Sequence, residues 1–461
     1  MRRIFAGLVV LCFGFVSVVW SASVTVAKPP VVANFTTVQA GLVAAGNGGT
    51  VTILDSSVYV EDVTITQLGV TITVAPGQRP TIRAANAINR YGAIGITSND
   101  HFGLSVMGPC LLNGLNIENN DSTVNTHATF GPLAASAIII HSPLVTLQNC
   151  KIFGPGGPFG AGDWVACLVV GLQAGPPPVP AAATLQNCEV YGAEYGAVDE
   201  TFQVANPALP DSFLTLINCD IHDNTASGLQ IDAGVTTATG CTIHNNNTGV
   251  GAGGGRLFLI GCDIKDSNSQ GMDIDFNSSF ARAGDSCRVK VTNSLLYANG
   301  STQSSIDLRD GTLNIDHSII SLGGDGGIWL SGDDPTNAFL NMDFCDVFAP
   351  GKSCIHFDTT ATSPAYASIK NSVLMGANGV MCQTGHRANI YNSDVFVTGT
   401  AFQNTLTSNT AALDPYYVRP YVAARDGFHY YRDLSVGESG QYVGSQGRWG
   451  AAAHRSWSLY K

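Results

Sequence analysis

The chain has 461 residues, a formal net charge of −12, and only 12% charged residues against 52 glycines. Its length exceeds the roughly 250–300 residues at which a single globular core stops growing. The acidic balance excludes a nucleic-acid footprint, which needs clustered basic residues, and it disfavours a polyanionic ligand unless a cation bridges.

Residues 1–27 carry Arg2 and Arg3, an apolar run from Ile4 to Trp20, then small residues. This predicts a secretory signal cleaved after Ser21, Ser23 or Ala27, and so a secreted protein at the cell surface, in the periplasm or outside the cell. No later segment is long and apolar enough to predict a membrane span. Short strand-like runs follow at 51–54, 63–65, 70–74, 80–84 and 94–97, and 111–117 is the first copy of a repeated frame.

That frame is clearest in Leu216–Asp232: apolar residues, a turn at Asn218, Cys219-x-Ile221, a polar loop, then Gly228-Leu-Gln-Ile-Asp232. It returns around 259–275, 291–309, 315–331, 342–358 and 369–383. The Cys/Ser position falls at 150, 188, 219, 241, 262, 294, 318, 345, 372 and 393, in steps of 21 to 38 residues. The short steps fit one coil of a solenoid, and the long ones are coils with loop insertions. Apolar residues alternate within each unit, as in Leu229/Ile231 and Met272/Ile274, which predicts strands. Such strands bury their faces only when stacked.

Before the Cys/Ser position stand Asn149, Asn187, Asn218, Asn293, Asn371 and Asn392, or Gly114, Gly240 and Gly261. Asn and Gly share access to the left-handed backbone region, so a bend with positive φ is predicted, with a possible Asn ladder. His317 and Phe344 interrupt the column and are expected to bend differently.

The Leu-x-Asn-Cys-x-Ile and Gly-Ile-x-Ile frame resembles the right-handed parallel β-helix of the pectate-lyase and polygalacturonase type. The opening 35–65 is similar to that group's N-terminal cap. The resemblance implies an all-β fold, a single-stranded right-handed parallel β-helix of about 12 coils, with a short capping helix around Val38–Ala45. Domains are expected at 28–400 for the β-helix and 401–461 for a tail covering the last coils. The group spans lyases, hydrolases, esterases, epimerases and non-catalytic adhesins, so a non-catalytic surface protein is the alternative to a carbohydrate-active enzyme. The sequence lacks the polygalacturonase Gly-His-Gly and Arg-Ile-Lys and the epimerase-type Asp-Pro-His, the candidate column holds no paired Asp-Asp, and no Lys lies near it for a lysine-base lyase.

Eleven cysteines follow the signal. The column cysteines read as small inward fillers, with one or two disulfides as the alternative; no Cys/His spacing suits zinc. Insertions at 153–163, 171–183, 199–211, 277–286 and 332–337 are expected to wall a groove.

If Leu229 and Ile231 point inward, Gln230 and Asp232 point outward, and the parity carries through each copy. The outward pairs become Gln230/Asp232, Gly251/Gly253, Asp273/Asp275, Asp307/Arg309, Trp329/Ser331 and His356/Asp358. In the resembling families this strand lines the sugar groove. Asp273 and Asp275 are expected about 6.6 Å apart along one strand, and Asp307 about 4.8 Å away on the next. Crowded carboxylates raise a pKa or bind a cation, so Asp273, Asp275 and Asp307 are candidate Ca²⁺ ligands. With Arg309 they are the candidate catalytic set for hydrolysis or Ca²⁺-assisted elimination. Gln230, Asp232, Trp329, His356 and Asp358 are the candidate substrate-binding residues. A polysaccharide or cell-surface glycan is the expected partner, and a monomer the expected state.

Overall fold

The computed structural model describes residues 21–408 apart from 86–100, 120–134, 155, 157–164, 172–179, 201–210, 276–286, 301–302, 322, 333–336, 359–362, 392 and 404. Every strand pairing is parallel, and each strand joins its counterpart one coil away. A 15-stranded sheet takes one strand from each coil, from Ser23–Val26 to Thr405–Ser408. A 24-stranded, bent sheet holds the remaining two sets. One is a run of three-residue strands such as Asp220–His222; the other is longer strands such as Ser227–Ile231 and Gln270–Ile274.

The alternating pattern is borne out. Leu214, Leu216, Ile221, Leu229 and Ile231 are all buried, and one apolar cluster runs from Val24 to Val395. The helix Val38–Ala45 forms as expected: Val38 and Leu42 enter the core, Thr37 accepts from the Ala40 N–H, and Glu61 accepts from the Val38 and Gln39 N–H groups. Those acceptors satisfy donors that a helix N-terminus leaves orphaned.

Ser23–Val26 pairs with Thr50–Ile53, so strands of the coil begin before residue 28. Strands Phe402–Gln403 and Thr405–Ser408 also carry the coil past residue 400. The strand expected at 94–97, Asn392 and the tail beyond 408 lie outside the described residues.

The left-handed bend is present at Asn149, Asn187, Asn218, Asn293 and Asn371, with φ between 48° and 53°. His317 and Phe344, expected to bend differently, adopt the same bend at 47° and 50°. Their rings stack with centroids 4.9 Å apart, a gain that offsets the strain of a non-Gly residue at positive φ. Nor do these asparagines form the expected ladder: Asn149 Nδ2 donates to Asn113 Oδ1 and Asn371 Nδ2 to Asp343 Oδ1.

An asparagine ladder exists at the second bend instead. There Asp223, Asn245, Asp266 and Ala298 take positive φ, each followed by a buried Asn224, Asn246, Ser267 or Asn299. Asn246 Oδ1 accepts from both the main-chain N and Nδ2 of Asn224, at 3.0 and 2.9 Å, while its Nδ2 donates to the Ile221 carbonyl at 3.2 Å.

All eleven described cysteines are buried, and none of them is in a disulfide. The Cys/Ser column does more than fill space. Ser294 Oγ accepts from the Cys262 N–H and Ser318 Oγ from the Ser294 N–H, both at 3.1 Å, and Cys241 Sγ takes the same place over the Cys219 N–H.

Candidate functional site

The outward positions of the longer strands form columns because the register is unbroken there. Gln230, Gly251, Asp273, Asp307, Trp329 and His356 lie side by side on consecutive strands. The core-facing neighbours Met272, Ile274, Ile306, Leu308, Ile328 and Leu330 hold this face rigid.

Arg309 organises the acidic part. Its Nη1 lies 3.0 Å from Asp275 Oδ2, its Nε 3.2 Å from Asp307 Oδ2, and its Nη2 3.6 Å from Asp273 Oδ2. One guanidinium therefore faces all three carboxylates, and their charge raises its pKa further despite burial, the largest opposing influence. Among the described residues no three His, Cys, Asp or Glu side chains converge as a metal site; here the carboxylates converge on the arginine.

Asp273 differs from its neighbours. Its side chain retains 27% exposure, yet its Oδ1 is buried without a hydrogen-bond partner. Burial pushes its pKa up to about 6, with Asp307 and Asp275 adding to the shift and Arg309 opposing it. The carboxyl thus keeps a proton up to about pH 6, well above the ordinary carboxylate range, and still meets solvent. Asp307 Oδ2 accepts a second bond from Gln270 Nε2 at 3.4 Å. Sequence reasoning missed Gln270, whose only signal was its place one pleat before Met272.

Beyond Asp307 the column turns aromatic. Trp329 and His356 are half-buried, with ring centroids 4.6 Å apart and planes tilted by 44°. Burial holds the His356 imidazole below its usual pKa, and Asp358 partly offsets that. Asp358 lies in the adjoining column, where its carbonyl meets His386 Nε2 at 3.1 Å.

The other end of the site departs from expectation. Asp232 is only 4% exposed, covered rather than open: Gln230 folds over Gly251 and donates to Asp232 Oδ1 at 2.7 Å. Burial raises the Asp232 pKa to about 6. Any Cβ at position 251 would collide with the Gln230 amide, so the glycine makes room for this cover rather than forming an open floor. Ser331 is buried as well.

Comparison with known proteins agrees with this architecture. The family described as "Right handed beta helix region" matches residues 180–344. Tailspike protein 3 of bacteriophage CBA120 superposes with a TM-score of 0.51 at 8% identity, covering 82% of this chain, which in turn spans 58% of the tailspike's length. XylC in complex with xylose gives 0.47 at 11% identity, covering 86% and 87% of the two chains. The siphovirus 9NA tailspike receptor binding domain gives 0.48 at 9%, covering 87% and 78%. No curated protein matches the sequence. At 8% identity the likeness to the CBA120 tailspike shows the fold alone.

Proposed function

We propose that this right-handed β-helix repeat protein binds a neutral polysaccharide across the Asp273–His356 column and hydrolyses it, with Asp273 as the general acid. The observation carrying this reading is Asp273 itself, a part-exposed carboxyl with a pKa of about 6. A proton held there can pass to a glycosidic oxygen at mildly acid pH, up to about 6. Asp307, in register on the next strand, stands at about the strand spacing of 4.8 Å, near the separation of roughly 5–5.5 Å used by retaining glycosidases. Arg309 orients both groups. Trp329 offers an aromatic face to a sugar ring, and the acidic surroundings favour an uncharged chain. Export and a glycan partner follow from the signal-like N-terminus and this site.

One observation favours a second, non-catalytic reading: the three carboxylates already have a cationic partner in Arg309, so the column could serve binding alone. A panel of neutral and acidic polysaccharides, assayed for reducing ends and for unsaturated products with and without Ca²⁺, separates the two. Hydrolysis expects new reducing ends without unsaturated product, abolished in Asp273→Asn while binding persists. Binding without turnover by the wild type selects the second reading, and unsaturated product selects a lyase.

A further inference from the structure

The outward face of the 15-stranded sheet changes character along the molecule. From Ser23–Val26 to Val235–Thr239 its outward positions are Ser, Thr, Asn, Gln or apolar, with no ionisable side chain among the described residues. From Arg256 onward one column reads Arg256, Arg288, Thr312, Phe339, Tyr366 and Arg387 on successive strands. Lys290 stands two residues from Arg288, and Lys370 flanks the far end. Arg256 and Arg288 are lateral neighbours of like charge, an arrangement that costs stability on a bare sheet. Arg256 is drawn to Asp211 at 2.9 Å. Lys290 and Arg387 are exposed with no ion pair among the described residues. Among the described residues the acids of this half end the same strands, away from the Arg256–Arg387 column: Asp316 meets His317 Nδ1 at 2.6 Å, and Asp343, in register with Lys370, accepts from Asn371 Nδ2 at 2.8 Å.

The aromatic pair shapes this basic strip. Phe339 and Tyr366 stack with centroids 5.1 Å apart and planes 11° from parallel, and Phe339 is 40% exposed. Tyr366 covers one face of Phe339; the other looks back over the small Thr312 toward Arg288, two strand spacings or about 10 Å away. That makes a shelf floored by Thr312, with an aromatic wall on one side and cations on the other.

We propose that this shelf binds an acidic polysaccharide, a sugar ring resting on Phe339 while its carboxylate or sulfate meets Lys290, beside Arg288 on the same strand. Stacking suits a ring, the cations suit an anion, and the spacing admits both at once. The chain's net charge of −12 is no obstacle, because the acidic column lies on a different sheet and screening is felt within about 8–10 Å. The proposal does not depend on the groove's activity: the strip would anchor the protein to a polyanionic matrix.

The test is retention on immobilised dextran sulfate against uncharged dextran and poly-glutamate at about 0.1 M ionic strength. Wild type should bind dextran sulfate, bind poly-glutamate more weakly, pass through dextran, and be released by salt. Arg288→Ala/Lys290→Ala should weaken dextran sulfate binding roughly tenfold or more, and the milder Lys290→Gln should act in the same direction. Phe339→Ala should narrow the preference for dextran sulfate over poly-glutamate, while Trp329→Ala leaves it unchanged. Unaltered binding in Lys290→Gln and the folded double variant would overturn the proposal, as would poly-glutamate binding equal to that of dextran sulfate. Melting curves identify any variant that fails to fold.

Discussion

Asp199 and Ile231 are in-register neighbours on adjacent strands, so a carboxylic acid occupies an inward column otherwise built of Val170, Ile231, Ile274 and Leu308. Asp199 is fully buried. Ser212 Oγ and Thr236 Oγ1 contact its two oxygens at 2.5 and 2.7 Å. Burial pushes its pKa up to about 7, against the two hydroxyls and with help from Asp211 and Asp232.

The first prediction follows from linkage. An acid whose folded pKa exceeds its unfolded value of about 3.9 holds its proton more tightly in the native state. Its contribution is fully present below pH ~4 and is lost as pH rises through the folded pKa near 7. Asp232 and Asp273, each near 6, act in the same direction. Stability should therefore fall between pH ~4 and ~7, with Asp199 contributing on the order of 4 kcal/mol to the change. Asp199→Asn should flatten that part of the profile in urea melts at several pH values. A profile with the wild-type slope would show that the carboxyl is not buried.

The same sign governs activity. Asp273 must be protonated to act as an acid, so kcat/KM for a cleaved glycan should decline as pH rises past about 6. Asp273→Asn should remove turnover and leave Trp329-dependent binding intact. A rate that keeps rising above pH ~7 would assign the acid elsewhere.

The second bend gives a structural prediction. Removing the Asn246 side chain orphans the Asn224 donors and the Ile221 carbonyl in a buried setting, so Asn246→Ala should cost about 3 kcal/mol. Gly228→Ala should also destabilise, because its Cβ would lie 2.6 Å from Asn246 Nδ2 and 2.9 Å from the Gly249 carbonyl. Asn218→Val should cost more than Asn218→Gly, since a β-branched residue resists the φ of 51°. Equal losses in the Asn218 pair, read as shifts in melting temperature, would contradict the left-handed bend.

What the sequence disclosed tracks how local each signal is. Alternation at Leu229/Ile231 and the Asn/Gly choice at 218 are dictated by the backbone of a single coil, and both were legible. The buried ladder at 224, 246 and 299 was not, because its bonds join residues 22 to 32 positions apart and its letters look like any polar loop. His317 and Phe344 misled for a related reason: their strain is offset by each other, one coil apart. In the site, parity found Asp273, Asp307 and Trp329. It could not foresee that Gln230 would cover Asp232, or that Arg309 would reach three acids on two strands.

That reach of Arg309 leads to the final prediction. In the wild type its guanidinium stands among the crowded carboxylates at 3.0 to 3.6 Å, so the space between their oxygens is already filled by a cation. Arg309→Ala removes the cation and leaves Asp273, Asp275 and Asp307 facing one another. The variant should lose stability, by an amount reduced by solvent because the arginine is one-third exposed. The vacated space is lined by hard oxygen ligands, which suit Ca²⁺, and binding there would stabilise the folded variant by mass action. Millimolar-range Ca²⁺ should therefore raise the melting temperature of Arg309→Ala and leave that of the wild type nearly unchanged. A wild-type shift of equal size would restore the three aspartates as a native Ca²⁺ site, while no shift in either protein would show that they cannot close around an ion.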